Sequence, residues 1–312
     1  HSYDQYGGKY YSCDLMYDKM VKFVEDNADS PFFLMWTTTV PHSAVQAPID
    51  EVMYYVDKLG DEEPCTEPGM YLPNRYPHAT YAAMVTHIDR QVGELVQKLK
   101  DLGVWDNTIF IVTSDNGPAS NGNSPMEYFR SGGPFKCGKG WGKSSRHEGG
   151  IRMPFVLRWG DGKKCEKISR MSTFADMMPT LADLVGVEAP ENDGISLAPT
   201  ILEKTSGGKA YSHSNGIVRQ EQKDHDFLYW EFPGVRGWVA VRMGCWKGLL
   251  RNVQKGNTEM ELYNLADDPQ ETIDVASEHP DITTKMWEAV KASHRDANPD
   301  VPKFCMDITY PD

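Results

Sequence analysis

A carboxylate, an amide and a glycine stand in line at Asp115-Asn116-Gly117, just after the apolar run IFIVT of residues 109–113. Oxygen-bearing side chains at the carboxyl end of a buried strand can hold a hard divalent cation such as calcium. The same residue types also favour an ordinary turn, through local hydrogen bonds. His42 follows a second apolar run, PFFLMWTTT (31–39), on a loop stiffened by Pro41 and Pro48. An imidazole there can act as a general acid, because small changes of environment move its proton affinity across neutral pH. A loop histidine hydrogen-bonded for structure is the alternative. CGKGWGKSSRHEGG (137–150) places Lys139, Lys143 and Arg146 in a Gly-rich loop. Glycines admit a ligand close to the backbone, and lysines hold an anion as point charges. A solvated loop has the same composition. Glu148, followed by two glycines, can be a buried acceptor that fixes this loop.

These side chains need elements to position them. Residues 15–24 carry apolar positions at helical spacing, and PFFLMWTTT reads as a fully buried strand. The Pro-rich stretch 42–77 shows no sustained period and reads as a long connection, functional or inserted. Residues 79–102 form the clearest helix. Tyr81, Val85, Ile88, Val92, Leu95 and Leu99 make its apolar stripe, Lys98 and Lys100 suit its C-terminus, and Gly103 ends it. Helix and buried strand then alternate, the rhythm of a mostly parallel sheet covered on both faces. MPFVLRW (153–159) reads as a further strand. Residues 174–185 read as a helix bent at Pro179 and closed by Gly186. Beyond about residue 205, FLYWEF, WVAVRM, CWKGLLR and MELYNL read as an antiparallel meander, with a helix over 281–294 packed on it. The expected division is 1–204, an α/β domain, and 205–312, a smaller α+β subdomain.

The chain has a net charge of −13 and no Lys/Arg-rich run, which argues against nucleic acid as a partner. An anionic substrate must find local positive charge against that field. No run of about 18 apolar residues occurs, so no membrane span is expected. The six cysteines form no CxxC pair, which removes zinc-ribbon and thioredoxin-type readings and leaves free thiols or a few bridges open.

IDRQVGELVQKLKDLGVWDNTIFIVTSDNGP followed by GKSSRHEGGIRMPFVLRW resembles the type I sulfatases, arylsulfatase-like members of the alkaline phosphatase superfamily. PFFLMWTTTVPHSAVQAP, FADMMPTLADLVGVEAPENDGISLAPTI, AVRMGCWKGLL and ELYNLADDPQE are similar to the same family, in the same order. The resemblance implies a partial alkaline-phosphatase-like α/β fold and hydrolysis of a sulfate ester, on a carbohydrate by family expectation. It implies that Asp115 and Asn116 ligate one calcium ion, that Lys143 contacts the sulfate, and that His42 stands near the leaving-group oxygen. Lys139 takes the place of Lys143 if the loop is registered differently. The resemblance also implies a periplasmic or secreted location in a bacterium.

The family's nucleophile is a formylglycine made from Cys or Ser in a C/S-x-P-S/A-R motif, and no such motif occurs here. The chain is therefore expected to hold part of an active site, to lack the nucleophile and the remaining calcium ligands, and to be inactive alone. Exposed apolar strand edges are expected with it. Two other readings compete: a phosphodiesterase or phosphonate hydrolase of the same superfamily, which commonly has Asp-His where this chain has Asp115-Asn116, and a non-catalytic binding protein. Trp238, Arg242 and Trp246 are candidate sugar contacts, with core packing the commoner fate of such aromatics.

Overall fold

The computed structural model describes residues 7–66, 72–120, 124–159, 167–206, 221–234, 236–295 and 306–311, with residues 203–206 described by backbone only. The chain divides into two compact units, His1–Ile109 with Ala119–Ser131, and Phe110–Pro118 with Gly132–Asp312. The boundary expected at 204/205 falls beside residues 207–220, outside the described residues.

The first unit is helical. Helix α1 (Ser12–Asn27) buries Cys13, Met20 and Val24. Helix α2 (Ile49–Leu59) lies inside the stretch read from sequence as an irregular connection. Ile49, Val52, Met53 and Val56 do recur at helical spacing, and Asp50 and Glu51 suit the N-terminus. The prolines on either side mask that short pattern in a longer window. Helix α3 (Pro77–Asp101) opens with proline in its first turn, where the missing N–H costs nothing.

The buried face of α3 keeps Leu95 and Leu99 of the expected apolar stripe, with Tyr81 and Ile88 half-buried, but is rotated ahead of them. Ala83, Met84, His87 and Gln91 are buried, whereas Val85 is 43% exposed. Polar contacts to α1 and α2 set the rotation. His87 Nδ1 lies 2.9 Å from Glu51, and Nε2 lies 2.9 Å from Asp14. Gln91 donates to the same Asp14 oxygen at 3.0 Å. Buried polar groups bonded in this way are tolerated in a core. The PFFLMWTTT run is extended but pairs with no described strand. Phe32 and Trp36 meet Phe23 and Tyr17 of α1, while Phe33 and Met35 on the other side are 74% and 72% exposed. The strand expected to be fully buried is thus covered on one side only, among the described residues.

In the second unit, β1 (Phe110–Thr113) pairs antiparallel with β2 (Phe155–Arg158), Phe110 opposite Arg158 and Thr113 opposite Phe155. The expected parallel pairings are not among the described strands. A parallel return needs a long crossover, and the only helix between β1 and β2 among the described residues is the one-turn α4 (Glu148–Ile151). Helix α5 (Met177–Val185) ends at Gly186, whose φ of 78° lies in the left-handed region. The helix expected over 174–185 is a 3-10 turn, Phe174–Asp176, running into α5, with Pro179 in the first turn of α5. Asp176, fully buried before α5, accepts from the Thr173 and Ile195 amides and from His225 Nε2, each at 2.8 Å. Helix α6 (Ala198–Ser206) follows.

The C-terminal meander is present as expected: β3 (Leu228–Phe232), β4 (Trp238–Met243), β5 (Trp246–Arg251) and β6 (Glu261–Asn264), in sequence order. Helix α7 (Pro280–Ser293) closes one face, with Met286 and Val290 packed among Val239, Val241, Leu250 and Leu262. Trp238, Ala240, Leu249 and Tyr263 form a second cluster on the alternate positions. Cys13, Cys65, Cys137 and Cys245 are in the thiol form, in no disulfide, and Cys165 and Cys305 lie outside the described residues. The class is mixed α/β with an antiparallel C-terminal sheet. No helix among the described residues is long and apolar enough to cross a membrane.

Candidate functional site

Strand β1 runs out at Thr113, whose hydroxyl donates to the Pro154 carbonyl at 2.9 Å and ties it to the start of β2. The chain then turns. Ser114 Oγ donates to the Asn116 carbonyl at 3.1 Å, and Asn116 Nδ2 donates to the Gly117 carbonyl at 3.0 Å. The turn reading of this stretch is therefore correct at the level of the backbone, and it does not exhaust the side chains. With its nitrogen on Gly117, Asn116 keeps Oδ1 as an acceptor. Asp115 is exposed and has no hydrogen bond or ion pair among the described residues. Two hard oxygen donors are thus held adjacent, which is the donor chemistry calcium takes.

The Gly-rich loop is strapped to this turn through backbone. The Lys143 N–H donates to the Pro118 carbonyl at 2.7 Å, and the Gly117 N–H donates to the Gly150 carbonyl at 2.9 Å. Glycine is required at this crossing. A Cβ on Gly117 would collide with the Gly149 carbonyl, and one on Gly150 would come within 2.6 Å of Ser145 Oγ. Lys143 is half-buried and Lys139 exposed, and neither has an acidic partner among the described residues. Lys136 lies over the Trp141 ring at 3.7 Å. Arg146 lies over Phe232 at 4.3 Å and donates to the Ser145 carbonyl at 2.9 Å, and burial pushes its pKa down. Residues 136–146 hold four cationic side chains and no acid, in a chain of net charge −13. The local positive charge that an anion needs is present.

His42 belongs to the other unit and stands on its own loop, exposed. Its N–H donates to the Thr39 carbonyl and its Nδ1 to the Ser43 carbonyl, both at 2.9 Å. That second bond makes Nδ1 a donor that fixes the ring on its own loop. Asp115, Asn116 and Lys143 are therefore gathered in one unit.

The aromatic candidates for sugar contact are absorbed elsewhere. Trp238 is buried in the sheet, Trp246 packs on its α7-side cluster, and Arg242 bonds Glu148 at 3.0 Å. Glu148 is the buried acceptor that its sequence setting suggested. Its partners Lys247 and Glu271 lie far from it in sequence, 99 and 123 residues away.

Residues 1–187 match the sulfatase family model, and residues 139–296 match a second model, N-sulphoglucosamine sulphohydrolase, C-terminal. The chain is 25% identical over 302 residues to an N-acetylgalactosamine-6-O-sulfatase of Bacteroides thetaiotaomicron, covering 89% of this chain and 50% of that protein. It is 30% identical over 236 residues to an uncharacterized sulfatase of Schizosaccharomyces pombe, covering 67% of this chain and 41% of that one. It superposes on the crystal structure of Ps i-CgsB in complex with k-i-k-neocarrahexaose with a TM-score of 0.71 at 25% identity, covering 96% of this chain and 58% of that one. The chain thus spans about half the length of the curated relatives it matches. The solved relatives share the alkaline-phosphatase-like α/β fold, and the first family model covers well over half of these residues. The chain belongs to the sulfatase family.

Proposed function

We propose that these residues form part of a calcium-dependent formylglycine sulfatase that hydrolyses a sulfate ester on a carbohydrate. The observation that carries the reading is the 2.7 Å bond from the Lys143 N–H to Pro118, which fastens a cationic loop to the turn bearing Asp115 and Asn116. A sulfate monoester resists attack until the charge on its oxygens is neutralised, and charge also develops on the leaving oxygen. Lys143 would hold the sulfate oxygens, with Lys139 the next cation along the loop. Asp115 and Asn116 would contribute carboxylate and amide oxygens to calcium, which, when bound, withdraws charge from the same sulfate group. In its imidazolium form His42, anchored through Nδ1 on the Ser43 carbonyl, would donate the proton of its other ring nitrogen to the departing alcohol. A carbohydrate substrate is supported by the names of relatives, among them the N-acetylgalactosamine-6-O-sulfatase.

The nucleophile motif C/S-x-P-S/A-R is not present in these 312 residues, so the chain alone is expected to be inactive. The test assays the 312-residue chain and the same chain preceded by a formylglycine-bearing segment on a chromogenic aryl sulfate. Turnover only in the longer form, abolished by a calcium chelator, supports the reading, and turnover by the 312 residues alone overturns it. Metal analysis of the longer form separates the phosphonate-hydrolase reading. One calcium fits Asp115-Asn116, whereas two transition-metal ions would replace the sulfatase assignment.

A further inference from the structure

Strands β4 and β5 place Arg242 directly opposite Lys247, on the same sheet face as Trp238, Ala240 and Leu249. Two like charges in cross-strand register destabilise a sheet unless an anion sits between them. Here Lys247 is wholly buried, where an uncompensated ammonium is not tolerated. The anion is Glu148, from the Gly-rich loop. Lys247 Nζ donates to Glu148 Oε1 at 2.8 Å, Arg242 donates to Oε2 at 3.0 Å, and Arg152 donates to the same Oε2 at 3.2 Å. A second buried carboxylate completes the set. Glu271 Oε2 accepts the Glu148 backbone N–H at 2.6 Å, and its Oε1 lies 3.9 Å from Lys247 Nζ. Next along the loop, His147 stacks on Trp141 at 3.9 Å and meets Trp238 of β4 edge-on at 5.7 Å.

The geometry points to Glu148, Lys247, Arg242 and Glu271 as positioning residues: a buried latch through which the C-terminal sheet fixes the loop that carries Lys139 and Lys143. Glu148 is held from both ends, its carboxylate by β4 and β5 and its N–H by Glu271. The next two residues, Gly149 and Gly150, press against the turn at Gly117. Displacing Glu148 would therefore move the crossing that sets Lys143 beside Pro118. The latch itself stands on these contacts. That the positioned lysines hold sulfate rests on the reading proposed above.

Amide hydrogen exchange on the 312-residue chain tests it, with Glu148→Gln, Lys247→Met and the double variant. The expected result in E148Q is exchange at Lys143, Gly117 and Gly150 accelerated at least tenfold more than at Val241 and Leu250 in the sheet, whose exchange follows global stability. K247M leaves Glu148 its arginines and should give a smaller acceleration at the same amides. The double variant should lose no more protection than E148Q alone, because the bond that K247M removes is one of those that E148Q already weakens. Uniform acceleration of loop and sheet, unchanged loop protection, or additive losses would each overturn the latch. Should E148Q fail to fold, K247M with the same amides decides it. Titration of each form with inorganic sulfate, followed at the Lys139 and Lys143 signals, reads the consequence. A tenfold weaker affinity in E148Q supports positioning of the anion site, and equal affinity overturns that part. Absence of sulfate binding in the unsubstituted chain would count against the sulfatase reading, while the exchange data still decide the latch.

Discussion

Two antiparallel sheets within one unit bury their strands to opposite degrees. Val239, Ala240, Val241, Leu249 and Leu250 of β4 and β5 are at most 1% exposed, whereas Val112, Phe155 and Val156 of β1 and β2 are 42%, 42% and 62% exposed. Side-chain type does not separate them, since both sets are β-branched or otherwise apolar. Cover does. Helix α7 closes one face of the C-terminal sheet, and Glu148 and His147 of the Gly-rich loop meet the other. Strands β1 and β2 have only each other among the described strands. An apolar strand states a capacity for burial, and a neighbouring element realises it.

The comparison breaks most visibly at the charge that joins loop and sheet. Glu148→Ala should lower the unfolding free energy by about 3–5 kcal/mol, because Lys247 would be left fully buried, and Arg242 half-buried, without their shared anion. Urea unfolding checks it, and a loss below about 1 kcal/mol would mean that water reaches the network. Leu250→Ala, in the α7-side core, should cost roughly 2–5 kcal/mol by removing buried methyl groups and leaving a cavity. The same measurement checks that value, and a near-neutral result would mean that α7 does not close this face in solution.

Acid should loosen the closed sheet next. Burial alone would raise the Glu148 pKa, but Lys247 and then Arg242 outweigh it and hold the group at about 2, below its ordinary 4.5. A depressed carboxylate contributes stability that is complete above its unfolded pKa and is lost as pH falls through the folded one. The contribution should be intact at pH 6, decline below about 4.5, and be smaller by about 2 kcal/mol at pH 3. Denaturant unfolding between pH 6 and pH 3 checks the sign, with Glu148→Gln expected to show a flatter acid limb. Equal slopes in the two forms would remove Glu148 as the source.

This contrast also explains what could be read from sequence. Helices α1, α3 and α7 and the C-terminal strands carry their period in consecutive residues, so they were legible. Helix α2 was hidden by flanking prolines, and the rotation of α3 was hidden because His87 and Gln91 look exposed until Asp14 and Glu51 are brought to them. The turn at Asp115-Asn116 and the loop of Lys139 and Lys143 were legible as local clusters of chemistry. The latch was not, because Glu148 meets Lys247 across 99 residues of sequence and Glu271 across 123. One sign was present in the strand itself. A lysine between Trp246 and Gly248, in a strand of otherwise apolar neighbours, asks for a buried anion.

The smallest expected effect probes the open sheet. Val156→Thr keeps the β-branched shape that suits a strand and replaces a methyl with a hydroxyl. At 62% exposure the hydroxyl remains hydrated, so unfolding free energy should change by less than about 0.5 kcal/mol. The same exchange at Val241, fully buried under α7, should cost roughly 1–3 kcal/mol, because a hydroxyl without a partner loses its hydration. The pair therefore measures cover with nearly constant shape. If Val156→Thr costs as much as Val241→Thr in the 312-residue chain, then β2 is covered in solution by a face that the described residues do not supply. The two sheets would then differ in where their cover comes from, and no longer in whether they have it.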